Sequence, residues 1–78
     1  VLTSAQVRGA RAMLGITIDA LAKEAELTSW TIRRFENDHG GLKARTQDKI
    51  VKTLERLGIV LTEETDTIGP GVLMKKRG

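Results

Sequence analysis

The chain has 78 residues, enough for one small domain with a single core and nothing larger. It contains no cysteine and one histidine, which excludes disulfides, thiolate zinc sites and most nucleophile or transition-metal constellations. Thirteen basic residues against ten acidic ones give a net charge of +3, a mild excess that favours polyanionic partners.

Apolar residues make up 40% of the chain and charged residues 29%, a globular rather than a disordered composition. Trp30 and Phe35 are the only aromatic side chains, so the predicted core is aliphatic. No apolar run approaches the roughly 20 residues that span a bilayer. Neither a signal peptide, a membrane segment, a metal site nor a cofactor is expected, and the missing cysteines fit a reducing, cytoplasmic compartment. Charge is segregated along the chain. Seven basic residues (Arg33, Arg34, Lys43, Arg45, Lys49, Lys52, Arg56) and four acidic ones lie between Trp30 and Arg56. Between Thr62 and Gly71 the only charges are Glu63, Glu64 and Asp66.

Four helices are predicted, each opening on a threonine. Thr3 to Gln6 fits a capping box, with Leu2 and Val7 placed as a hydrophobic staple. Val7, Ala10 and Leu14 then recur at helical spacing, and Gly15 ends the helix. Thr17 caps the second helix, whose staple is Ile16 with Leu21. Its inner face of Leu21, Ala22 and Ala25 is narrow enough for a close neighbour. Thr28 caps the third helix, with Leu27 and Ile32 as staple. Leu27, Ile32 and Phe35 face inward, and Ser29, Trp30, Arg33, Arg34 and Asn37 face outward. A polar connection from Asp38 to Arg45 leads to Thr46, the predicted cap of a fourth helix with Ile50, Leu54 and Leu57 inside and Gly58 at its end. Beyond Gly58 the period shortens. Ile59–Thr62 reads as a strand, Glu63–Gly71 as a loop broken by Gly69-Pro70-Gly71, and Val72–Lys75 as a second strand. The expected fold is thus mainly α: a compact four-helix domain over residues 1–58 with a short C-terminal β-hairpin within 59–78.

The second and third helices are joined by very few residues around Ala25–Leu27 and carry small residues inside, the pattern of a helix-turn-helix over about residues 17–36. The outer face of the third helix then carries hydroxyls, an indole, two arginines and an amide. Arginine pairs with guanine and asparagine with adenine in the major groove, each contact worth about 1–3 kcal/mol of discrimination. Helix starts at Thr17 and Thr28 offer a hydroxyl and free amides to phosphate.

The run from Thr17 to Glu36 resembles the helix-turn-helix of Xre-type, lambda-repressor-like bacterial regulators. It joins a Leu21-Ala22 pair, a turn and a Thr31-Ile32-x-x-Phe35-Glu36 ending. The similarity extends to Ala10–Gly15 and to Ile50–Leu61, about three-quarters of the chain. It implies a DNA-binding domain of the bacterial nucleoid that acts as a homodimer on near-palindromic operators, as a repressor or autoregulator, often on phages, plasmids or other mobile elements or in toxin–antitoxin pairs. By the same resemblance Thr17 and Thr28 would contact phosphates, and Ser29, Trp30, Arg33 and Arg34 would face bases or sugars. Arg11 and Glu36 would form a structural salt bridge between the first and third helices. Three positions depart from the family. Glu26 replaces the usual turn glycine. Ile18 replaces a phosphate-binding glutamine, moving that contact to the backbone amide if it is kept. Gln47 replaces an apolar residue at a spot expected to be exposed.

Each candidate has a plainer rival. Arg33 and Arg34 are read as base or phosphate contacts against a solvated face. Trp30 stands open between a DNA contact and a protein contact. Lys43 and Arg45 are read as a clamp on the flanking backbone against loop charge. His39 reads as an ordinary loop residue rather than a pH switch, and Asp19 and Glu24 as surface charges. Lys75-Lys76-Arg77 reads as a solvated tail rather than a basic arm. Ile59, Val60, Leu61, Val72 and Leu73 are the expected dimer contacts, through pairing of an exposed strand with its copy, against a hairpin that merely covers the fourth helix. The leading expectation is a double-stranded-DNA-binding regulator without catalysis. The rival is a protein-interaction module, such as an antitoxin or an anti-activator-binding protein, gripped through Trp30. An enzyme lacks the side chains it would need.

Overall fold

Thr3 caps the first helix with both halves of a capping box. The Gln6 amide donates to Thr3 Oγ1 at 3.1 Å, and the Thr3 amide donates to Gln6 Oε1 at 3.0 Å. In the computed structural model, which describes residues 2–38 and 41–76, this helix (α1) spans Ser4–Leu14 and ends on Gly15 in the left-handed conformation. Helix α2 covers Ile18–Ala25, with the Ala20 amide on Thr17 Oγ1 at 3.0 Å. Helix α3 covers Ser29–Glu36, with the Thr31 amide on Thr28 Oγ1 at 3.2 Å. The three staple pairs Leu2/Val7, Ile16/Leu21 and Leu27/Ile32 all lie in or against one hydrophobic cluster. Each cap thus aims its helix at the core as well as starting it.

Helix α4 spans Ala44–Arg56, three residues earlier than the Thr46 cap predicts. Lys43 holds the N-cap position without a side-chain cap bond. The Gln47 amide already donates to the Lys43 carbonyl at 3.0 Å, and Gln47 Nε2 donates to the Leu42 carbonyl at 3.2 Å. Thr46 therefore lies within the first turn. Gln47 is half-buried rather than exposed, because its amide satisfies the chain entering the helix.

After Gly58 the chain forms an antiparallel hairpin, β1 (Ile59–Thr62) with β2 (Gly71–Met74), in the register Ile59↔Met74 to Thr62↔Gly71. The second strand sits one residue earlier than Val72–Lys75. Gly71 belongs to the ladder because its carbonyl, like that of Thr62, accepts from Gln6 Nε2 at 3.0 and 3.1 Å. A single glutamine side chain thus caps α1 and holds the open end of the hairpin onto it. The hairpin lies over α1 and α4, with β2 against α1 and β1 against α4. The α1–β2 approach is tight at Gly9, where a Cβ would stand 3.1 Å from Val72 Cγ2.

The core joins all four helices to β1 through Val7, Ala10, Leu21, Ile32, Ile50, Leu54 and Ile59, each essentially inaccessible to solvent. It is aliphatic apart from Phe35. Ile59 closes this core at 1% exposure, so it is an internal residue and cannot serve as the dimer contact expected of it. Leu61 and Val72 also turn inward, half-buried against the cluster. The period-2 alternation of a strand leaves Val60 and Leu73 on the outside. No helix among the described residues is long and apolar enough to cross a membrane.

Candidate nucleic-acid interface

The turn between α2 and α3 is built on backbone as much as on side chains. Glu26 takes a left-handed conformation, φ 57° and ψ 43°, and its amide donates back to the Lys23 and Ala22 carbonyls. Leu27 N–H follows onto the Ala22 carbonyl at 2.8 Å. This reverses the chain in two residues and sets α3 across α2, with Ala22 and Ala25 buried where the helices meet. Glutamate bears the left-handed geometry that glycine adopts freely, so the turn stores strain of about 1 kcal/mol.

Helix α3 is fastened at both ends. At its start the Ser29 hydroxyl donates to the Asp19 carboxylate on α2. At its finish Glu36 is 3% exposed and takes both Arg11 nitrogens, Nε at 2.6 Å and Nη2 at 2.7 Å. Arg8 Nη1 adds a bond to the Glu36 carbonyl at 2.6 Å, and Arg11 Nη1 reaches the Ile16 carbonyl at 3.2 Å. The hydrogen bond to Glu36 holds the Arg11 guanidinium above its ordinary pKa, against the opposing effect of burial and with help from the carboxylate charge. The fork-on-fork geometry makes this a strong, directional pair. Arg11–Glu36 follows from the motif, whereas Arg8 has no partner legible in sequence. Its signal is only that it lies three residues before Arg11, on the same helical face.

Between these fastenings, α3 presents its outward residues. Trp30 is 62% exposed, and Arg33, Arg34 and Asn37 are exposed. The Arg34 guanidinium lies over the Trp30 ring, 4.7 Å from its centroid. That cation–π contact is worth about 0.5–1 kcal/mol at an exposed site and orders two long side chains together. A shallow hollow of about 170 Å³ lies beside them, floored by Phe35 and Leu42. No protein-family model matches the chain, and no curated protein matches it.

Three of the expected contact residues occupy positions that narrow their roles. Ser29 is half-buried with its hydroxyl engaged by Asp19, so it positions α3. Ile18 packs its side chain against the core, which leaves only its backbone amide at the start of α2. Arg45 lies in the first turn of α4 rather than in a loop, next to Lys43 at the N-cap, and both are exposed. Thr17 and Thr28 are exposed at their helix starts with their oxygens accepting capping bonds. The Thr17 hydroxyl, accepting from its cap amide, keeps a proton to donate, whereas that of Thr28 also shares a hydrogen bond with Thr31 Oγ1 at 2.9 Å. The helix start at Thr17 thus offers a donor, and the chain leading into the basic start of α4 passes beside α3 at Gly41 and Leu42. His39 and Arg77 lie outside the described residues.

Proposed function

We propose that this chain is a sequence-specific double-stranded-DNA-binding regulator of transcription, a cytoplasmic homodimer of the Xre type that represses or autoregulates from near-palindromic operators. It performs no catalytic step. The observation that carries this reading is the outer face of α3. Trp30, Arg33 and Arg34 stand exposed on a short helix fastened at both ends behind a tight helix-turn-helix.

A helix of this width fits the major groove. Arg33 and the Trp30–Arg34 stack meet base edges there, the indole offering an apolar surface to a thymine methyl. Asn37 follows at the end of the helix. Thr17, Thr28 and the amide of Ile18 hold phosphates on one flank, and Lys43 with Arg45 on the other. A preset geometry keeps the entropy of ordering the reading helix out of the binding step.

The test is selection of bound fragments from random duplexes, followed by affinity against salt. A regulator enriches a two-fold-symmetric sequence, and its affinity falls steeply with salt as counterions are released. Absence of binding to every duplex at low salt would overturn the reading. The exposed Trp30 also favours a second one, a module that grips a protein such as a toxin or an anti-activator. Under that reading Trp30→Ala abolishes partner capture while Arg33→Ala leaves it intact.

A further inference from the structure

The hairpin has two outer edges, and its hydrogen bonds say which backbone groups each one presents. The Lys75 amide donates to the Gly58 carbonyl at 2.8 Å, which makes Gly58/Lys75 a hydrogen-bonded pair. Antiparallel ladders alternate, so Val60/Leu73 and Thr62/Gly71 are bonded across the hairpin as well. The N–H and C=O groups of Val72 and Met74 therefore point away from the ladder along the free edge of β2. Among the described residues no hydrogen bond from another element reaches them. On β1 the corresponding outward groups belong to Ile59 and Leu61. That edge lies beside α4, with Ile59 buried. β2 lies against α1 through the half-buried Val72, but Met74, whose backbone groups point along the edge, is 40% exposed, against 1% for Ile59 opposite it on β1.

The charges at the two ends of β2 differ in sign. Beyond Met74 come Lys75 and Lys76. Before Gly71, at the other end, a groove of about 520 Å³ opens between the start of α1, the second half of α4 and the hairpin loop. Leu2, Val51 and Leu61 contribute its apolar lining, and Glu55, Glu63 and Glu64 its charge. A strand that is basic at one end and acidic at the other complements itself when inverted.

We infer that a second copy of this chain docks on the β2 edge, with β2 pairing antiparallel to β2 about a two-fold axis at Leu73. This deepens the homodimer part of the proposed function and rests on it. Val72 bonds with Met74 of the second copy, and the two Leu73 residues face each other as a non-hydrogen-bonded pair. The exposed side chains Val60, Leu73, Leu73 and Val60 then line up across a four-stranded sheet. The same register sets Lys75 of the second copy beside Gly71 and Lys76 beside Pro70, where the groove with Glu63 and Glu64 opens. Each basic tail thus meets the acidic groove of its neighbour, twice per dimer, as an isologous contact demands.

The test uses the full chain without DNA. The chain is free of cysteine, so a single introduced thiol reports cleanly. In this pairing the Leu73 Cα atoms are about 4.5 Å apart, within disulfide range. The two Val60 positions are three strand spacings apart, about 14 Å, and out of range. Mild oxidation of Leu73→Cys gives a covalent dimer, and of Val60→Cys gives none. Crosslinking of Val60→Cys alone, or of neither variant, overturns the proposal.

A second measurement is mass in solution. Lys75→Glu with Lys76→Glu weakens self-association at least about tenfold, since like charges then face each other at both ends. Glu63→Lys with Glu64→Lys does the same, and mixing the two variants restores a dimer. Unchanged association in the reversed variants, or no rescue on mixing, overturns it. A chain that is monomeric in these assays yet selects a DNA sequence sinks this proposal and leaves the DNA reading standing.

Discussion

The Glu36 carboxylate grips the Arg11 guanidinium with both oxygens and so ties the last residue of α3 to the last turn of α1. The Glu36 side chain is 4% exposed and that of Arg11 22%, so Glu36 has almost no water to fall back on if its partner is removed and Arg11 has little. Glu36→Ala is expected to cost about 3 kcal/mol, because it strands a cation against the core. Replacing both residues by apolar ones of similar volume recovers most of that loss. Urea unfolding of the two single variants and the double variant measures the coupling. The raised pKa of Arg11 has a definite sign. Its stabilisation is complete below the ordinary arginine range and fades only as pH rises beyond it, so the bridge gives no stability change near neutral pH.

Glu26 is the most directly improvable residue. It is exposed and sits at φ 57°. Glu26→Gly removes the left-handed strain and loses no packing. Stability is expected to rise by about 1 kcal/mol, or about 4–8 °C in Tm for a domain of this size. Thermal unfolding followed by circular dichroism decides it, and an unchanged or lower Tm would show that the turn carries no strain.

Arg33 and Lys43 are expected to fail differently on DNA. Arg33→Ala relaxes discrimination at particular base positions by about 1–3 kcal/mol. Lys43→Ala weakens all sequences alike and lowers the salt slope by about one. Titrations of a matched and a mutated duplex at several salt concentrations separate these effects. Equal, sequence-independent losses from both would contradict the assignment.

Trp30 is the single tryptophan and lies open beside Arg34. Duplex binding is expected to shift its emission as water leaves the indole, with a midpoint equal to that of direct binding. Binding that leaves the spectrum unchanged would move Trp30 off the contact surface.

Gln6→Ala is expected to loosen the hairpin before the helices. It removes the Oε1 half of the capping box and both Nε2 bonds to the Thr62 and Gly71 carbonyls, a loss of about 1–3 kcal/mol. Hydrogen exchange reads this as faster opening of β1 and β2, with the α2 and α3 amides least affected.

The helical frame was legible because its signals are local. Thr3, Thr17 and Thr28 each stand one residue before a helix, with an apolar residue on either side of the first turn, and all three act as caps. Thr46 has the cap residue type without the staple, since Arg45 precedes it, and it misleads because Gln47 supplies from inside the helix what a cap would supply from outside. The outward face of α3 follows from its period of 3.6, and the Arg11–Glu36 pair from the motif. The residues expected at a dimer contact read less well. Alternation along Ile59–Leu61 is visible, but which face the core claims depends on how the hairpin lies against α1 and α4. The roles of Arg8 and of Gln6 Nε2 were illegible, for their acceptors are backbone carbonyls, which carry no residue identity. Ser29 looked like a free hydroxyl because its partner Asp19 lies ten residues away on another helix.

Gln6 and the two carbonyls that its Nε2 holds are 56 and 65 positions apart. During synthesis, α1 leaves the ribosome long before either acceptor exists. Until Gly71 has emerged, that amide faces water and the side chain of Ile59 has no lasting cover. A transcript cut short in the hairpin would therefore release a protein whose four helices are complete but whose interior is open, a ready substrate for proteases.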